Sequence, residues 1–196
     1  LKVYSGGKLL KDLFGEMQFT HFGASGPLIL TASALINRLL PDGVKLVLDF
    51  KPALSREQLE ARILRDFEAD KNKDISNCLK SLLLSSAVEP MLERCGILPD
   101  KKVNSITRAE RASLLTNIKN FDMLYLSLRG FEEAVVTSGG VSLKEVNPKT
   151  MESKIVKGLY FCGEVLDCDA FTGGFNLQIA FSTGYVAGRA AAQADN

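Results

Sequence analysis

The chain has no tryptophan, one histidine and four cysteines, and each shortage closes off a class of chemistry. Cys78, Cys95, Cys162 and Cys168 show no C-x-x-C spacing, and a lone His21 cannot complete a nitrogen and sulfur ligand set around them. No metal site is expected. Nor do these cysteines form the dense framework of a small secreted domain, which fits a reducing, cytoplasmic setting. Cys162 lies in an apolar run and reads as a small core residue, whereas Cys168 sits in a polar turn and reads as exposed. Charge of one sign is also missing: 24 Lys and Arg stand against 23 Asp and Glu, a net charge of +1. Such a balance offers no field to attract nucleic acid or an anionic membrane, so neither is an expected partner. No apolar run reaches spanning length, and no basic-then-apolar leader is found. No strand is followed by G-x-G-x-x-G, the glycine turn that grips a dinucleotide pyrophosphate. The chain opens at Leu1 rather than methionine, and it reads as a piece of a longer protein.

What is present is an ordinary globular composition. With 46% hydrophobic and 24% charged residues in 196, the chain can bury a core in one domain or in two small ones. Lys2-Val3-Tyr4 ahead of Gly6-Gly7 is strand-like, and Glu16 to Thr20 alternates as a strand does. His21 to Gly26 is a turn-rich loop, and Pro27 suits the first position of a helix over Leu28 to Leu40. Val44, Leu46, Leu48 and Phe50 alternate with Lys45 and Asp49, giving a half-buried strand. From Ser55 the period changes: Ser55 with Gln58 forms a capping box, and Leu59, Ile63 and Phe67 recur at helical spacing. A second helix is expected over Asn77 to Glu93, kinked or divided at Pro90 and ending near Gly96. A third begins at Thr107, whose partner in a capping box is Glu110, and runs to Asn117. Strand character returns at Met123 to Leu128, at Glu133 to Thr137 and, after Ser138-Gly139-Gly140, at Val141 to Val146. The helical block therefore interrupts a β-rich unit, with hinges near residues 54 and 120.

The last fifty residues are the most informative. Gly158 to Cys162 reads as a buried strand, Gly163-Glu164 as the turn after it, and Thr172-Gly173-Gly174-Phe175-Asn176 as the opening of a helix that runs to Ala192. Two glycines let backbone approach a ligand with no Cβ in the way, and a helix N-terminus presents free amides and partial positive charge. An ordinary strand, loop and helix with a glycine turn accounts for the spacing equally well. Along that helix Ala180, Gly184, Gly188 and Ala192 recur every fourth residue; Gln178, Ser182, Thr183 and Arg189 beside them favour close packing in a soluble core over a membrane dimer. His21, the sole imidazole, is the one acid-base candidate near neutral pH, with a loop-fixing hydrogen bond as the plainer role.

These segments, in this order, resemble the BaiN/YhiN-like bacterial flavoproteins, FAD-dependent oxidoreductases. The resemblance is carried by Gly15 to Pro27, Lys51-Pro52-Ala53-Leu54, Val136 to Val141, Pro148 to Ser153, Gly158 to Asp167, Thr172 to Gln178 and Ser182-Thr183-Gly184, and it covers essentially the whole chain. It implies an α+β fold: a β-barrel-like domain over 1–53 and 119–146, an inserted helical domain over 54–118, and at 147–196 the closing strand and helix of a split Rossmann-like FAD domain. Gly163, Glu164, Thr172, Gly173, Gly174, Phe175, Asn176 and Leu177 then fall on the flavin, with Glu164 toward the ribityl chain and the Gly173 to Asn176 turn toward the pyrimidine edge of the ring. Ser25, Gly26, Gly139 and Gly140 fall on loops of the substrate side, where a plain β-turn is the alternative for the last two. FAD is the implied cofactor, NAD(P)H a candidate donor, and a small molecule the implied substrate. The missing N-terminal FAD-binding segment is the implied partner, and without it the fragment is expected to be inactive. Cys162 replaces a common alanine of the family, and Gly130 stands where proline is often found. Two other readings remain open: a noncatalytic module that docks a protein or ligand, and a tRNA-modifying flavoprotein, which the neutral charge disfavours.

Overall fold

The computed structural model describes residues 1–39 and 43–194. Its elements, in chain order, are β1 (Lys2–Ser5), β2 (Lys8–Asp12), β3 (Gln18–Thr20), β4 (Gly23–Ser25), α1 (Pro27–Ile36), β5 (Val44–Leu48), α2 (Arg56–Ala69), α3 (Ile75–Leu79), α4 (Ser85–Cys95), α5 (Arg108–Lys119), β6 (Phe121–Leu124) and α6 (Phe175–Ala194). Leu40, the last residue of the expected Leu28 to Leu40 helix, and residues 195–196 of the expected C-terminal segment lie outside the described residues. The chain divides into two units, one formed by Leu1–Asp12 with Val44–Tyr125 and the other by Leu13–Gly43 with Leu126–Asn196.

The first unit joins a sheet to the helical block. Gly6 and Gly7 both take positive φ, at 54° and 77°, so the chain reverses tightly between β1 and β2. The sheet is antiparallel, in the order β2-β1-β5-β6, with Val3 opposite Leu46 and Leu48 opposite Phe121. Helices α2 and α5 both start on the expected capping boxes, Ser55 with Gln58 and Thr107 with Glu110. Their apolar residues, Leu59, Ile63 and Phe67 on α2 and Leu114, Leu115 and Ile118 on α5, meet Val88, Met91 and Leu92 of α4 in one core. Phe50 and Phe121 pack edge to face against it at 5.4 Å. Lys119 closes the block: its ammonium pairs with Asp49 at 2.6 Å and donates to the carbonyls of Lys51 and Leu54.

Two helical expectations are corrected here. The segment from Asn77 to Glu93 is not one helix; α3 and α4 are separated over 80–84, where Leu82 and Leu83 turn into the core and Ser81 bonds the Cys78 carbonyl at 2.9 Å. Pro90 sits inside α4 and does not divide it, and Gly96 closes that helix in the left-handed conformation as expected. Burying two leucines decides the break, so the proline has no part in it.

The second unit is assembled from short pieces. Hairpin β3–β4 sets Gln18 opposite Ser25, and α1 follows with Pro27 at its start and Leu28, Ala32 and Ile36 buried. A separate small cluster holds Val146, Met151, Leu166 and Ala187. Met151 is in the left-handed region at φ 60°, its N–H bonded to the Asn147 carbonyl at 2.7 Å and its carbonyl accepting from Phe161 N–H.

The α+β class holds, while the barrel-like part is an open sheet among the described residues. Closure requires both edges to be paired, and the strands expected at Glu133 to Thr137 and Val141 to Val146 are not strands. Phe131–Glu133 and Leu143–Glu145 are single 3-10 turns, and Val141 and Val146 make isolated bridges to Leu166 and Ser153. The strand expected over Met123 to Leu128 is β6, four residues long and beginning earlier at Phe121. Gly158 to Cys162 is likewise no strand: Tyr160 bridges Glu152, and Cys162 is exposed rather than buried. An alternating or apolar run becomes a strand only where a neighbouring strand receives its hydrogen bonds. Among the described residues, no helix is long and apolar enough to cross a membrane.

Candidate functional site

The second unit gathers three glycine-bearing stretches: 137–141, 163–169 and 172–176. Val141 N–H donates to the Val165 carbonyl at 2.8 Å and Asp167 N–H returns to the Val141 carbonyl at 2.9 Å, so the first two run side by side. Gly140 sits at that junction with φ 145°, and a Cβ there would be driven into the Val165 carbonyl oxygen. Only glycine fits. Glu164 reinforces the junction, its Oε1 accepting from both the amide and the hydroxyl of Thr137, the latter at 2.6 Å. These two bonds hold the Glu164 carboxyl below its ordinary range, so it stays an acceptor near neutral pH. Gly163, with φ 71°, is fixed to α6 by its amide, which donates to Thr183 Oγ1 at 2.9 Å.

Gly173 and Gly174 lead into α6 at φ 115° and 83°, and both are exposed. The first intrahelical bond runs from Gln178 N–H to the Gly174 carbonyl, which leaves the amides of Phe175, Asn176 and Leu177 at the open end of the helix. The space beside Gly174 is clear, with nothing within 4 Å of where a Cβ would stand. Asn176 ties the preceding loop to the helix, because its side-chain amide accepts from Ala170 N–H and donates to the Ala170 carbonyl, both at 2.8 Å. Phe175 and Leu177 are exposed. Thr172 is hydrogen-bonded at 3.3 Å to Thr31 on α1, and since Thr31 gives its own proton to the Pro27 carbonyl, Thr172 is the donor.

Among the substrate-side candidates, Gly139 and Gly140 therefore lie beside Glu164, and Gly26 caps α1 at φ 97° against the backbone of Met17. Ser25 pairs with Gln18 in the hairpin. An open polar depression of about 580 Å³ is lined by Asn37, Arg38, Ser138, Gly139 and Asp167. At its border Asp169 is ion-paired to Arg38 and accepts from Ser138 Oγ at 3.1 Å. His21 stands elsewhere, at the tip of β3–β4, edge to face with Phe22 at 5.0 Å, while the Arg129 guanidinium covers Phe22 at 4.0 Å. Among the described residues no hydrogen bond or ion pair joins His21 to the 163–176 stretches.

Thr137, Thr183, Asp169 and Arg38 hold this arrangement, and sequence reasoning does not single them out as site residues. Thr137 and Thr183 lie inside motif segments, but nothing local signals that their hydroxyls reach residues 27 and 20 positions away.

The family model for the HI0933-like protein Rossmann domain matches residues 13–190. The chain belongs to this family. Membership bears out the flavoprotein resemblance drawn from the motifs. Among curated relatives of this HI0933-like chain, the 3-dehydro-bile acid delta(4,6)-reductase of Clostridium scindens is 32% identical over 190 residues, 96% of this chain and 46% of the relative. Ribosomal RNA dihydrouridine synthase of Haemophilus influenzae is 34% identical over 176 residues, 89% of this chain and 42% of its own length. The Escherichia coli protein of the same name is 31% identical over 178 residues, covering 87% and 40%. The HI0933-like chain thus spans less than half the length of the curated relatives it matches.

The donor set suits the flavin of an HI0933-like protein. Amides at an open helix end, two glycines with clear space beside the second, and an ionised carboxylate on the neighbouring loop match a ring edge with carbonyl acceptors and a hydroxylated chain.

Proposed function

We propose that the chain is the C-terminal part of a flavin-dependent oxidoreductase that reduces a carbon–carbon double bond conjugated to a carbonyl. The observation that carries this reading is the open N-terminus of α6, with Gly173 and Gly174 at positive φ and Glu164 on the adjoining loop. The names of the relatives supply the reaction class: a 3-oxo steroid diene and the uracil ring both present a double bond in conjugation with a carbonyl. Bound FAD supplies the hydride in such a reduction.

The chain's own residues act in four ways in this scheme. The amides of Phe175, Asn176 and Leu177, with the positive end of the helix dipole, would hold the carbonyl edge of the ring and would favour its electron-rich state. Glu164, whose Oε1 is taken by Thr137, would hold the ribityl chain through its other oxygen, with Thr172 and the backbone of Gly163 beside that chain. The Gly139-Gly140 loop and the Ser25-Gly26 start of α1 border the substrate. Hydride addition to one carbon requires a proton at its neighbour; His21 is proposed for that role as the imidazole at the tip of the β3–β4 hairpin, whose Ser25 end is assigned here to the substrate side, although among the described residues no hydrogen bond ties it to the 163–176 stretches. NADH or NADPH is the proposed source of reducing equivalents.

A second acceptor follows from the two relatives named for ribosomal RNA: a uridine in RNA rather than a small molecule. One experiment separates them. The parent polypeptide is purified, reduced with NADH or NADPH under anaerobic conditions, and offered a 3-oxo steroid diene or unmodified ribosomal RNA. Reoxidation by one of them identifies the acceptor. A parent that remains colourless after incubation with excess FAD and gel filtration contradicts the flavin reading itself. Gly174→Val, which fills the space beside the helix end, is expected to weaken FAD binding tenfold or more, corresponding to about 1.4 kcal/mol.

A further inference from the structure

The open polar depression of the second unit offers groups that the flavin reading leaves unused. The C-terminal end of α1 supplies Asn37 and Arg38, and the two paired loops supply Ser138, Gly139 and Asp167. Its volume of about 580 Å³ is that of a site for a small organic ligand. Asp169 Oδ1 accepts from both Arg38 Nη2 and Ser138 Oγ, so the Arg38 charge is already balanced and its head is held in place. Among the described residues, Arg38 Nε and Nη1 make no further bond. Asp167 is different. Its N–H is fixed on the Val141 carbonyl at 2.9 Å, but the residue is exposed and its carboxylate has neither a hydrogen bond nor an ion pair among the described residues. The side-chain amide of Asn37 and the N–H of Gly139 are likewise without a partner among them.

These groups say what fits. A hydrocarbon skeleton would strip water from a carboxylate and a guanidinium and return no hydrogen bond, so the depression is no place for a steroid ring system. A ribose with both hydroxyls free presents two adjacent donors to the two oxygens of one carboxylate, and a guanidinium beside it suits a phosphate. An RNA chain lacks that diol, because the 3′ oxygen of each internal nucleotide is esterified. The second unit as a whole carries 10 Asp and Glu against 7 Lys and Arg, which disfavours a polyanion further.

We propose that this depression holds the nicotinamide nucleotide that reduces the flavin, and that it selects NADH over NADPH. The Asp167 carboxylate accepts from the two hydroxyls of the adenosine ribose, while Arg38 Nε and Nη1, with the Gly139 N–H, donate to the pyrophosphate. Selection follows from charge. The 2′-phosphate of NADPH removes one of those hydroxyls and sets further negative charge against Asp167, which Arg38, already balanced by Asp169, does not offset. The proposal rests on the reading of the parent as a flavoenzyme fed by a nicotinamide nucleotide.

Titration calorimetry on the FAD-free parent, with NADH and with NADPH, tests it. NADH is expected to bind at least about tenfold more tightly than NADPH, and Asp167→Asn to weaken NADH by about tenfold or more while leaving melting and FAD binding unchanged. Because NAD+ cannot reduce a flavin, it serves as the probe once FAD has been added to saturation, and its binding is expected to persist. Equal or tighter binding of NADPH overturns the proposal. So does NADH binding that ignores Asp167→Asn, and so does a parent that binds neither nucleotide. Displacement of NAD+ by FAD overturns it as well, by making the depression part of the flavin site. A parent that binds no FAD yet shows Asp167-dependent NADH binding supports this site and contradicts the flavin reading alone.

Discussion

Helix α5 of the first unit and helix α6 of the second differ in how much of themselves they bury. The shorter α5 buries Leu114, Leu115 and Ile118 against α2 and α4, whereas α6, with 20 residues and far fewer charges, buries Ala187 alone. The same contrast runs through both units. In the first, α2, α4 and α5 close one continuous core; in the second, the described buried residues are Leu28, Ala32 and Ile36 on α1 and a small cluster of Val146, Met151, Leu166 and Ala187. Yet the second unit is where large apolar residues are exposed in number, among them Phe14, Leu126, Phe131, Ile155, Phe175 and Phe181. Apolar composition measures how much surface a segment has available to bury. What it buries depends on having a partner, and the first unit contains its partners.

Substitutions sharpen this comparison, and the largest effect is expected in the first unit. Leu92, fully buried in its centre, should cost about 3 kcal/mol as Leu92→Ala in chemical denaturation, since a cavity is left as well as apolar surface lost. If Leu92→Ala leaves the denaturation midpoint of the first unit unmoved, the contrast fails. Gly140→Ala comes next, at about 2 kcal/mol, combining a positive-φ backbone with a collision at the Val165 carbonyl. Its effect should fall on the second unit and leave the melting of the helical block in place. A smaller loss, up to about 1 kcal/mol, is expected for Glu110→Gln, which removes the 2.6 Å ion pair with Lys101 and keeps an amide oxygen to accept from the Thr107 N–H, as Gln58 accepts from Ser55. The same carboxyl gives the first unit a pH dependence. Its bond from Lys101, followed by that from the Thr107 amide, pulls it down to about 2, so its contribution is complete above the ordinary glutamate range and is lost as pH falls from there toward 2. Glu110→Gln should flatten that part of the stability curve. Smallest of all, Phe181→Ala in the isolated chain should change stability by no more than about 0.5 kcal/mol, because the ring is largely in solvent there.

The boundary between what the sequence discloses and what it withholds follows the same division. Ser55 with Gln58, Thr107 with Glu110, Gly96 and Pro27 act through neighbours within four residues, and each is legible as a cap, a stop or a start. Gly158 to Cys162, Glu133 to Thr137 and Val141 to Val146 carry strand composition, but a strand exists only with a neighbour, and periodicity cannot say whether one is supplied. At the site, the glycines of 173–174 and 139–140 are visible because positive φ is a local demand. The hydroxyls of Thr137 and Thr183, and the Asp169 carboxylate that collects Arg38 and Ser138, act across 20 residues or more and leave no local trace. Cys162 is exposed against expectation for the same reason that its strand is absent.

Native-state hydrogen exchange on the 196-residue chain tests the contrast most directly, because it reads every amide in one experiment. The account predicts that α2, α4 and α5 exchange slowly, as one cooperative block, while α6 and Gly158 to Cys162 exchange many-fold faster, and that both stretches slow in the parent. Protection of α6 in the isolated chain equal to that of α5 would contradict it.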